Sequence, residues 1–296
     1  MNPPVDRPLV DALSFDLEDW FHVLGVDGLA SPETWGDLPS IVDRVTQTIL
    51  DDLDEFGVRA TFFVLGWIAE RYPRTIREIA RRGHEIGSHS HFHRPVYSLS
   101  PAAFEADLLR SVRAIEAASG QRPRGFRAPS FSIVPGCEWA FDAILDAGFL
   151  YDASLFPARR AHGGYPSQPG PHWRVTPRGR RLAELPMSTM RILGMRTGFS
   201  GGGYMRLFPA GLVREGFRQA HAAQRAVVVY LHPRDLATEL PAMPMPLHRR
   251  VRSRIGHRGA RRKLRRLLGT YRFGTCEQVL ARALESPYPC PAAEAR

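Results

Sequence analysis

The chain has 296 residues, of which 44% are hydrophobic and 24% are charged, and its formal net charge at pH 7 is +10. This composition predicts a globular protein that is long enough to bury a large core. No stretch of about 18 apolar residues occurs, which excludes a membrane-spanning helix. Three cysteines without a C-x-x-C spacing favour reduced thiols. The chain start lacks the basic head and apolar run of a signal peptide, and we therefore expect a cytoplasmic protein.

Apolar runs that predict strands alternate with helical patterns along the chain. Strands are predicted at residues 10–16, 59–65, 83–88 and 125–131, just before 151–154, and at 183–188 and 226–231. Helices are predicted at residues 41–56, 67–82 with a break at Pro73, 101–120, 139–145 and 209–224. Residues 25–40 are expected to form a loop, and residues 157–181 loops or a hairpin insertion. The alternation predicts an α/β fold, a parallel sheet with crossover helices.

The positive charge is concentrated near the carboxyl terminus. Ten Lys and Arg residues lie between Arg249 and Arg266, and no acid occurs from Leu240 to Cys276. Leu264, Leu267 and Leu268 would give a helix in this segment one apolar edge. We expect a solvated basic helix that covers the main domain or binds an anionic surface. Specific nucleic-acid recognition is not expected, because no aromatic residues interleave the charge.

Side chains capable of chemistry stand at the ends of four predicted strands. They are the acids Asp16, Glu18 and Asp19, the histidines His89 and His93, Arg127, and His232. The carboxyl ends of parallel strands meet at one edge of a sheet, where α/β proteins place their active sites. Two imidazoles and a carboxylate leave an open position on a zinc-like ion, at which water becomes acidic. Together with a base, an acid and an arginine, these residues predict a metal-assisted hydrolase.

Five segments resemble motifs of the polysaccharide deacetylase family, the carbohydrate esterases that share a NodB homology domain. The segments are SFDLED at residues 14–19, HSHFH at 89–93, RAPSF at 127–131, YDAS at 151–154 and YLHP at 230–233. The resemblance covers about residues 10–235 and implies the distorted, incomplete (β/α) barrel of that family. The run GGGYMRL at residues 201–207 and the basic segment are similar to deacetylases of bacterial exopolysaccharide gene clusters, some of them linked to exosortase systems.

The resemblance implies a role for each matched residue. Asp16 matches the general base, and Arg127 matches the arginine that pairs with this base. His232 matches the general acid that protonates the leaving amine. His89 and His93 match the pair of histidines that ligate the metal. The implied cofactor is a divalent metal, with Zn first and Co or Mn as alternatives.

The third metal ligand is less well defined by the motif. Leu17 stands where the family usually has its ligand aspartate, so the ligand shifts to Glu18 or to Asp19. We favour Glu18, because the two-residue period of a strand would put it on the same side as Asp16.

The resemblance further implies hydrolysis of N-acetyl groups on an amino-sugar polysaccharide, a carbon–nitrogen bond other than a peptide bond. Asp152, Tyr204 and Arg206 are the candidates for substrate binding, although a cap or second-layer role for Asp152 and a packing role for the other two are equally consistent with the sequence.

The predicted domain organisation has three parts. Residues 1–235 form the deacetylase barrel, residues 236–285 a basic extension packed on it, and residues 286–296 a disordered tail. A cytoplasmic enzyme would meet its substrate at the inner face of the membrane, and the basic segment could associate weakly with anionic lipid.

Two other functions are consistent with the sequence. One is a metal-independent hydrolase of a small cyclic amide on the same fold, against which the presence of both His89 and His93 argues. The other is a non-catalytic protein that binds carbohydrate or a polyanion through the basic segment at residues 249–266.

Overall fold

One curled sheet forms the centre of the fold in this computed structural model, which describes residues 9–26, 29, 31–158, 163–241 and 255–284. Its strands lie in the order β10-β1-β2-β3-β4-β5-β7-β6, and β11 also pairs with β1. The strands of the structure are β1 (Asp11–Leu17), β2 (Thr61–Val64), β3 (Glu85–Ser88), β4 (Gly125–Phe126), β5 (Tyr151–Asp152), β6 (His172–Val175), β7 (Arg181–Glu184), β8 (Thr189–Ile192), β9 (Met195–Gly198), β10 (Val228–Leu231) and β11 (Phe273–Gly274). The pairs from β10 to β7 are parallel, as the alternation of strands and helices predicts.

Helices connect the strands and cover the sheet. They are α1 (Val42–Glu55), α2 (Gly66–Arg71), α3 (Pro73–Arg81), α4 (Pro101–Ser119), α5 (Trp139–Asp146), α6 (Gly202–Leu207), α7 (Ala210–Ala222), α8 (Pro233–Leu236), α9 (His257–Leu268) and α10 (Cys276–Leu284). All seven residues of β1 are buried, as in a strand that is covered on both faces. No helix in the described ranges is both long and apolar enough to cross a bilayer.

The helix boundaries follow signals in the sequence. Ser100 caps α4 by accepting a hydrogen bond from the Ala103 N–H at 3.2 Å, and Gly120 ends this helix with a φ of 73°. The predicted break at Pro73 is confirmed, since α2 ends before it and α3 begins with it. Pro can begin a helix, because the first helical N–H needs no partner.

Three regions differ from the sequence prediction. The expected loop at 25–40 contains a 3-10 helix, Pro32–Asp37, because Trp35 is buried and donates to the Leu29 carbonyl at 2.8 Å. The strand predicted at 183–188 is β7, which ends at Glu184, before the proline that cannot donate to a sheet. The glycine run at 201–203 begins helix α6, and the hairpin of β8 and β9 before it is not predicted.

The carboxyl-terminal segment packs against the rest of the molecule. In α9, Leu264, Leu267 and Leu268 are buried, which confirms the predicted apolar edge. Arg261 and Arg265 on the same helix donate to the carboxylate of Asp52 in α1. Strand β11 then adds to the sheet beside β1. The proposed division into barrel and extension stays a prediction, and the tail at 286–296 lies outside the described residues.

Candidate active site

The carboxyl edge of the sheet brings together the side chains predicted to act in catalysis. Asp16 lies in β1, Arg127 follows β4, and His232 follows β10, while His89 directly follows β3. All four residues are buried or nearly so. The parallel order of these strands explains the convergence, because each chain leaves the sheet at the same edge.

Asp16 and Arg127 form a buried ion pair at this edge. The Arg127 Nη1 donates to Asp16 Oδ1 at 2.7 Å and to the Ser14 hydroxyl at 2.8 Å, while its Nε donates to the Ala153 carbonyl at 3.2 Å. The guanidinium also lies 4.1 Å from the ring centroid of Phe63. Arg127 is fully buried, so its fixed donors hold the aspartate in one orientation.

Glu18, His89 and His93 form a cluster of metal-ligating type. One ligand atom from each residue lies within 4.8 Å of the other two, and all three residues are buried. Among the described residues no hydrogen bond is made by the buried Glu18 Oε2, although His93 Nε2 lies 3.3 Å away. His89 Nδ1 donates to the Arg127 carbonyl at 2.7 Å in the tautomer that leaves Nε2 free to ligate.

The protonation states of this cluster also suit a cation. Burial lowers the pKa of His93 to about 4 and lowers that of His89, so both rings are neutral at pH 7. Burial alone raises the pKa of Glu18, but the neighbouring basic side chains bring it well below its usual value. One ionised carboxylate and two neutral imidazoles are the donors that zinc takes in catalytic sites.

A strained loop carries the two histidines. Ser90 and His93 have φ angles of 66° and 54°, in the left-handed region that residues other than glycine rarely adopt. Asp107 of α4 holds the loop by accepting from the N–H groups of His91 at 2.7 Å and Phe92 at 3.3 Å. Such strain persists where surrounding contacts over-determine the backbone, and it is frequent at functional sites.

His232 lies between two acids. Its Nε2 is 2.9 Å from Glu18 Oε1 and 3.9 Å from Asp16 Oδ2, and its Nδ1 is 2.7 Å from Asp235 Oδ2. Arg206 in turn pairs with the other oxygen of Asp235 at 2.8 Å. Burial lowers the pKa of His232, but the carboxylates of Glu18 and Asp235 outweigh this effect and raise it to about 9.

Sequence reasoning missed Asp235. It lies three residues after His232, at the third position of the short helix α8, where its side chain accepts from the His232 N–H at 3.0 Å in a capping box. An acid three residues after a histidine at a helix start is the signal that could have identified it.

Asp19 does not join the metal-type cluster, and its contacts argue against the predicted role as a rival ligand. Its Oδ2 accepts from the N–H groups of Ile41 at 3.1 Å and Val42 at 3.3 Å and from the Ser40 hydroxyl. Its Oδ1 accepts from the Trp20 N–H at 2.8 Å. Asp19 thus satisfies donors at the start of α1 that have no partner within the helix.

The predicted substrate contacts are only partly accessible. Asp152 is fully buried beside Glu184 and accepts from the Ser154 N–H at 3.2 Å, and these contacts argue against the predicted substrate-binding role. Arg206 is directed at Asp235 and also donates to the Ile255 carbonyl at 3.0 Å. Tyr204 is half-buried, with its ring centroid 6.5 Å from that of Phe156.

A curled parallel sheet with acids and basic side chains at its carboxyl edge defines a barrel-type α/β protein with a hydrolytic kind of site. Family models agree with this class. Residues 33–134 match the polysaccharide deacetylase model, and residues 153–281 match a domain of unknown function, DUF3473. Residues 33–134 thus resemble polysaccharide deacetylases, in agreement with the resemblance seen in the motifs.

Curated relatives match about a third of the chain. A peptidoglycan-N-acetylglucosamine deacetylase of Bacillus cereus is 31% identical over 108 residues, covering 36% of this chain and 38% of the relative. A chitin deacetylase of Colletotrichum lindemuthianum is 38% identical over 102 residues, covering 31% of this chain and 40% of the relative. The match therefore spans less than half of the length of these relatives.

Solved structures share the fold over most of the chain. A putative polysaccharide deacetylase from Mycobacterium smegmatis superposes with a TM-score of 0.58 at 23% identity, covering 95% of this chain and 94% of that one. Puue allantoinase superposes with a TM-score of 0.54 at 19% identity, covering 83% of this chain and 74% of that one. At these identities the likeness concerns the fold alone, and it confirms the predicted barrel class.

Proposed function

We propose that this chain is a hydrolase that removes N-acetyl groups from an amino-sugar polysaccharide with the help of a divalent cation. The observation that carries the proposal is the buried cluster of Glu18, His89 and His93 beside Asp16 and His232. The matched relatives are named for deacetylation of peptidoglycan N-acetylglucosamine and of chitin, which supports a polymer of N-acetylated amino sugars as the substrate.

The donor set fits a catalytic cation site. We assign Glu18, His89 and His93 as the ligands and exclude Asp19, whose oxygens are occupied at the start of α1. Zinc is the first choice for one carboxylate and two imidazoles, with Co and Mn as alternatives. When bound, such a cation would make water acidic enough to be deprotonated near neutral pH and would polarise the amide carbonyl.

The chain's own residues supply the proton transfers. Asp16, held in place by Arg127, accepts the proton of the attacking water. Glu18 contacts His93 through Oε2 and His232 through Oε1. His232 donates its Nε2 proton to the departing amine. Asp235 accepts from Nδ1 and so holds the ring with Nε2 directed toward the acids.

The magnitudes rank these contributions. Activation of water by a cation spans about 8 pKa units, or on the order of 11 kcal/mol at most. One acid–base residue contributes roughly 10²- to 10⁴-fold in rate, about 3 to 5 kcal/mol. Removal of the cation should therefore reduce the rate more than substitution of His232.

The contacts in the structure change which residues we propose to bind the substrate. Tyr204 is half-buried beside Phe156 and is retained as a side chain that borders the sugar. Arg206 acts on His232 through Asp235 and not on the sugar directly. Association of residues 249–266 with anionic lipid, and a location at the inner face of a membrane, stay predictions of the sequence.

A hydrolase of a small cyclic amide is the second candidate, since Puue allantoinase shares the fold. The presence of a complete carboxylate–dihistidine cluster favours the cation-dependent reaction over a cation-independent one. A non-catalytic binding protein would have no need for the buried pair of Asp16 and Arg127 at the sheet edge.

Acetate release from N-acetylglucosamine oligomers, measured with chelator-treated protein before and after addition of Zn, Co or Mn, tests the proposal. We expect activity only after cation addition, and none from Asp16→Asn with any cation. Full activity after verified cation removal would refute cation dependence, and release of ammonia or ring opening of a cyclic amide instead of acetate would favour the second candidate.

A further inference from the structure

A small hairpin stands apart from the main sheet. Strands β8 and β9 pair antiparallel and form their own two-stranded sheet. The turn between them consists of Leu193 and Gly194, with φ angles of 48° and 80°. Two-residue turns with both φ angles positive favour Asn-Gly, because a bulky side chain is disfavoured in the left-handed region. Leucine at the first turn position is therefore unfavourable for folding.

The tip of this hairpin, defined as residues 191–196, exposes apolar side chains to water and brings two like charges together. Leu193 is 94% exposed and Met195 is 70% exposed. Arg191 and Arg196 lie directly opposite each other in the register, where like charges destabilise a strand pair. Arg191 Nη1 donates to the Gly194 carbonyl at 3.2 Å, which places its charge over the turn.

Strand β8 anchors the hairpin to the rest of the molecule. Met190 is buried, and Ile192 packs against the main core. The Gln219 side chain of α7 accepts from the Arg191 N–H at 2.9 Å and donates to the Arg191 carbonyl at 3.1 Å. The hairpin thus presents apolar side chains between two arginines on a rigid support. Packing within the described chain does not require these side chains, and such an exposed apolar patch is typical of a binding surface.

We propose that the tip of the hairpin inserts into the surface of an anionic lipid bilayer. Leu193 and Met195 would enter the apolar boundary, while Arg191 and Arg196 would contact acidic headgroups. Nucleic acid offers no apolar phase for the two apolar side chains. A second copy of this chain, with its net charge of +10, would be repelled.

The hairpin continues directly into the wall of the proposed active site. Strand β9 ends at Gly198, and Gly202 lies against His232 and Asp235, so that a Cβ at Gly202 would be 3.1 Å from His232 Nδ1. The chain from Met195 to Gly202 makes about seven residue-to-residue steps, which span at most about 25 Å. Insertion of the tip would therefore hold the site close to a glycan presented at the membrane surface. The inference that the tip binds lipid does not depend on the deacetylase proposal.

Sedimentation of the full chain with vesicles tests this inference. Vesicles of phosphatidylcholine with about one-third phosphatidylglycerol would be compared with pure phosphatidylcholine. We expect the wild type to bind the anionic vesicles, and Leu193→Asn/Met195→Thr to bind at least about tenfold more weakly, because the apolar area is lost. Arg196→Gln should weaken binding and reduce its dependence on salt.

Two controls separate lipid binding from folding. Leu193→Asn introduces the residue that the turn prefers, so the unfolding temperature should stay the same or rise. Val175→Thr, at an exposed position of β6 on the main sheet, should bind vesicles like the wild type. Acetate release from a soluble oligosaccharide should be unchanged in the double variant, which keeps this test distinct from that of the proposed function. No binding of the wild type, equal binding by the double variant, or capture of an acidic protein in place of vesicles would overturn the inference.

Discussion

Arg127 and Asp16 are 111 residues apart in the chain, yet the Arg127 Nη1 donates to Asp16 Oδ1 at 2.7 Å in a fully enclosed position. Water cannot solvate either charge at this depth. The free-energy cost of removing both charges from water is offset by their attraction only while both members of the pair are present. Removal of one leaves an uncompensated charge, which lowers the free energy of unfolding by about 3–5 kcal/mol. The same contact therefore links the stability of the sheet edge to the orientation of the proposed base.

Substitution of Arg127 tests this linkage. Arg127→Met should lower the free energy of unfolding by about 3–5 kcal/mol, because Asp16 then remains buried without its partner. Acetate release should fall with it. In Asp16→Asn/Arg127→Met the neutral pair should recover part of the stability and none of the activity. Denaturant unfolding and the acetate assay measure both effects. Strictly additive losses in the double variant would contradict the linkage.

Glu18 and Asp19 are neighbours with different proposed tasks. Glu18→Gln should abolish stoichiometric cation binding, because it removes one of three ligands, while the fold is kept. Asp19→Asn should retain the cation and lower the free energy of unfolding by about 1–2 kcal/mol, because the start of α1 loses a charged acceptor.

Elemental analysis and calorimetric titration with Zn distinguish the two variants, and thermal unfolding reports on the helix start. His84→Ala serves as a control, since this buried histidine accepts from the Ala60 N–H at 3.3 Å and lies in no metal-type cluster of the described chain. Loss of the cation in Asp19→Asn with retention in Glu18→Gln would reverse the assignment.

The sequence predicted the strand ends well and the local contacts less well. Buried strands and helical patterns have short-range signals, and the two-residue period of a strand favoured Glu18, which the structure places beside His93. The burial of Asp152 could not be read from sequence, because it depends on Glu184, which the sheet register places directly opposite. Asp235 was missed for a related reason, since an acid in a first helical turn is usually a cap.

Asp235→Asn should reduce kcat by about 10²-fold or more with little change in KM, because Asp235 orients His232 and lies away from the substrate. The pKa of His232, about 9, is raised in part by Asp235. A general acid loses activity as the pH rises through its pKa. Removal of the carboxylate lowers that pKa, so the alkaline limb of the kcat profile should move to lower pH.

Arg234 provides a test of opposite sign for the same histidine. Its charge lowers the pKa of His232, so Arg234→Gln should move the alkaline limb to higher pH. Rate measurements across the alkaline range decide the matter. Equal shifts of the limb in the same direction for both variants would mean that His232 is not the group that titrates.

The ion pairs between α1 and α9 should make stability depend on acid pH. Burial raises the pKa of Asp52, but hydrogen bonds from Arg261 and Arg265 outweigh this effect and lower it below 3.8. The contribution is thus complete above pH 3.8 and is lost as the pH falls through the folded-state pKa. Asp52→Asn should lower Tm by about 2–6 °C near neutral pH and by less in acid.

Glu55→Gln is the matched control, because Glu55 is exposed and, within the described ranges, forms an ion pair with Arg265 alone. Exposed pairs contribute little, so its Tm should stay close to that of the wild type. Thermal unfolding followed by circular dichroism at several pH values measures both variants. A constant difference between Asp52→Asn and wild type down to the acid limit would show that the effect is one of packing.

Gly202 and Gly203 offer a comparison of adjacent positions in α6. A Cβ at Gly202 would lie 2.7 Å from Asp235 Oδ2 and 3.1 Å from His232 Nδ1, whereas a Cβ at Gly203 would have no atom of the described residues within 4 Å. Gly202→Ala should therefore displace the proposed acid and reduce kcat by about 10²-fold, since a shift of about 1 Å is sufficient for such a loss. Cation binding should be unaffected.

Gly203→Ala should keep full activity and gain slightly in stability, because alanine favours a helix. Acetate release and thermal unfolding of both variants provide the measurement, and wild-type kcat in Gly202→Ala would show that the contact with His232 and Asp235 does not position the acid.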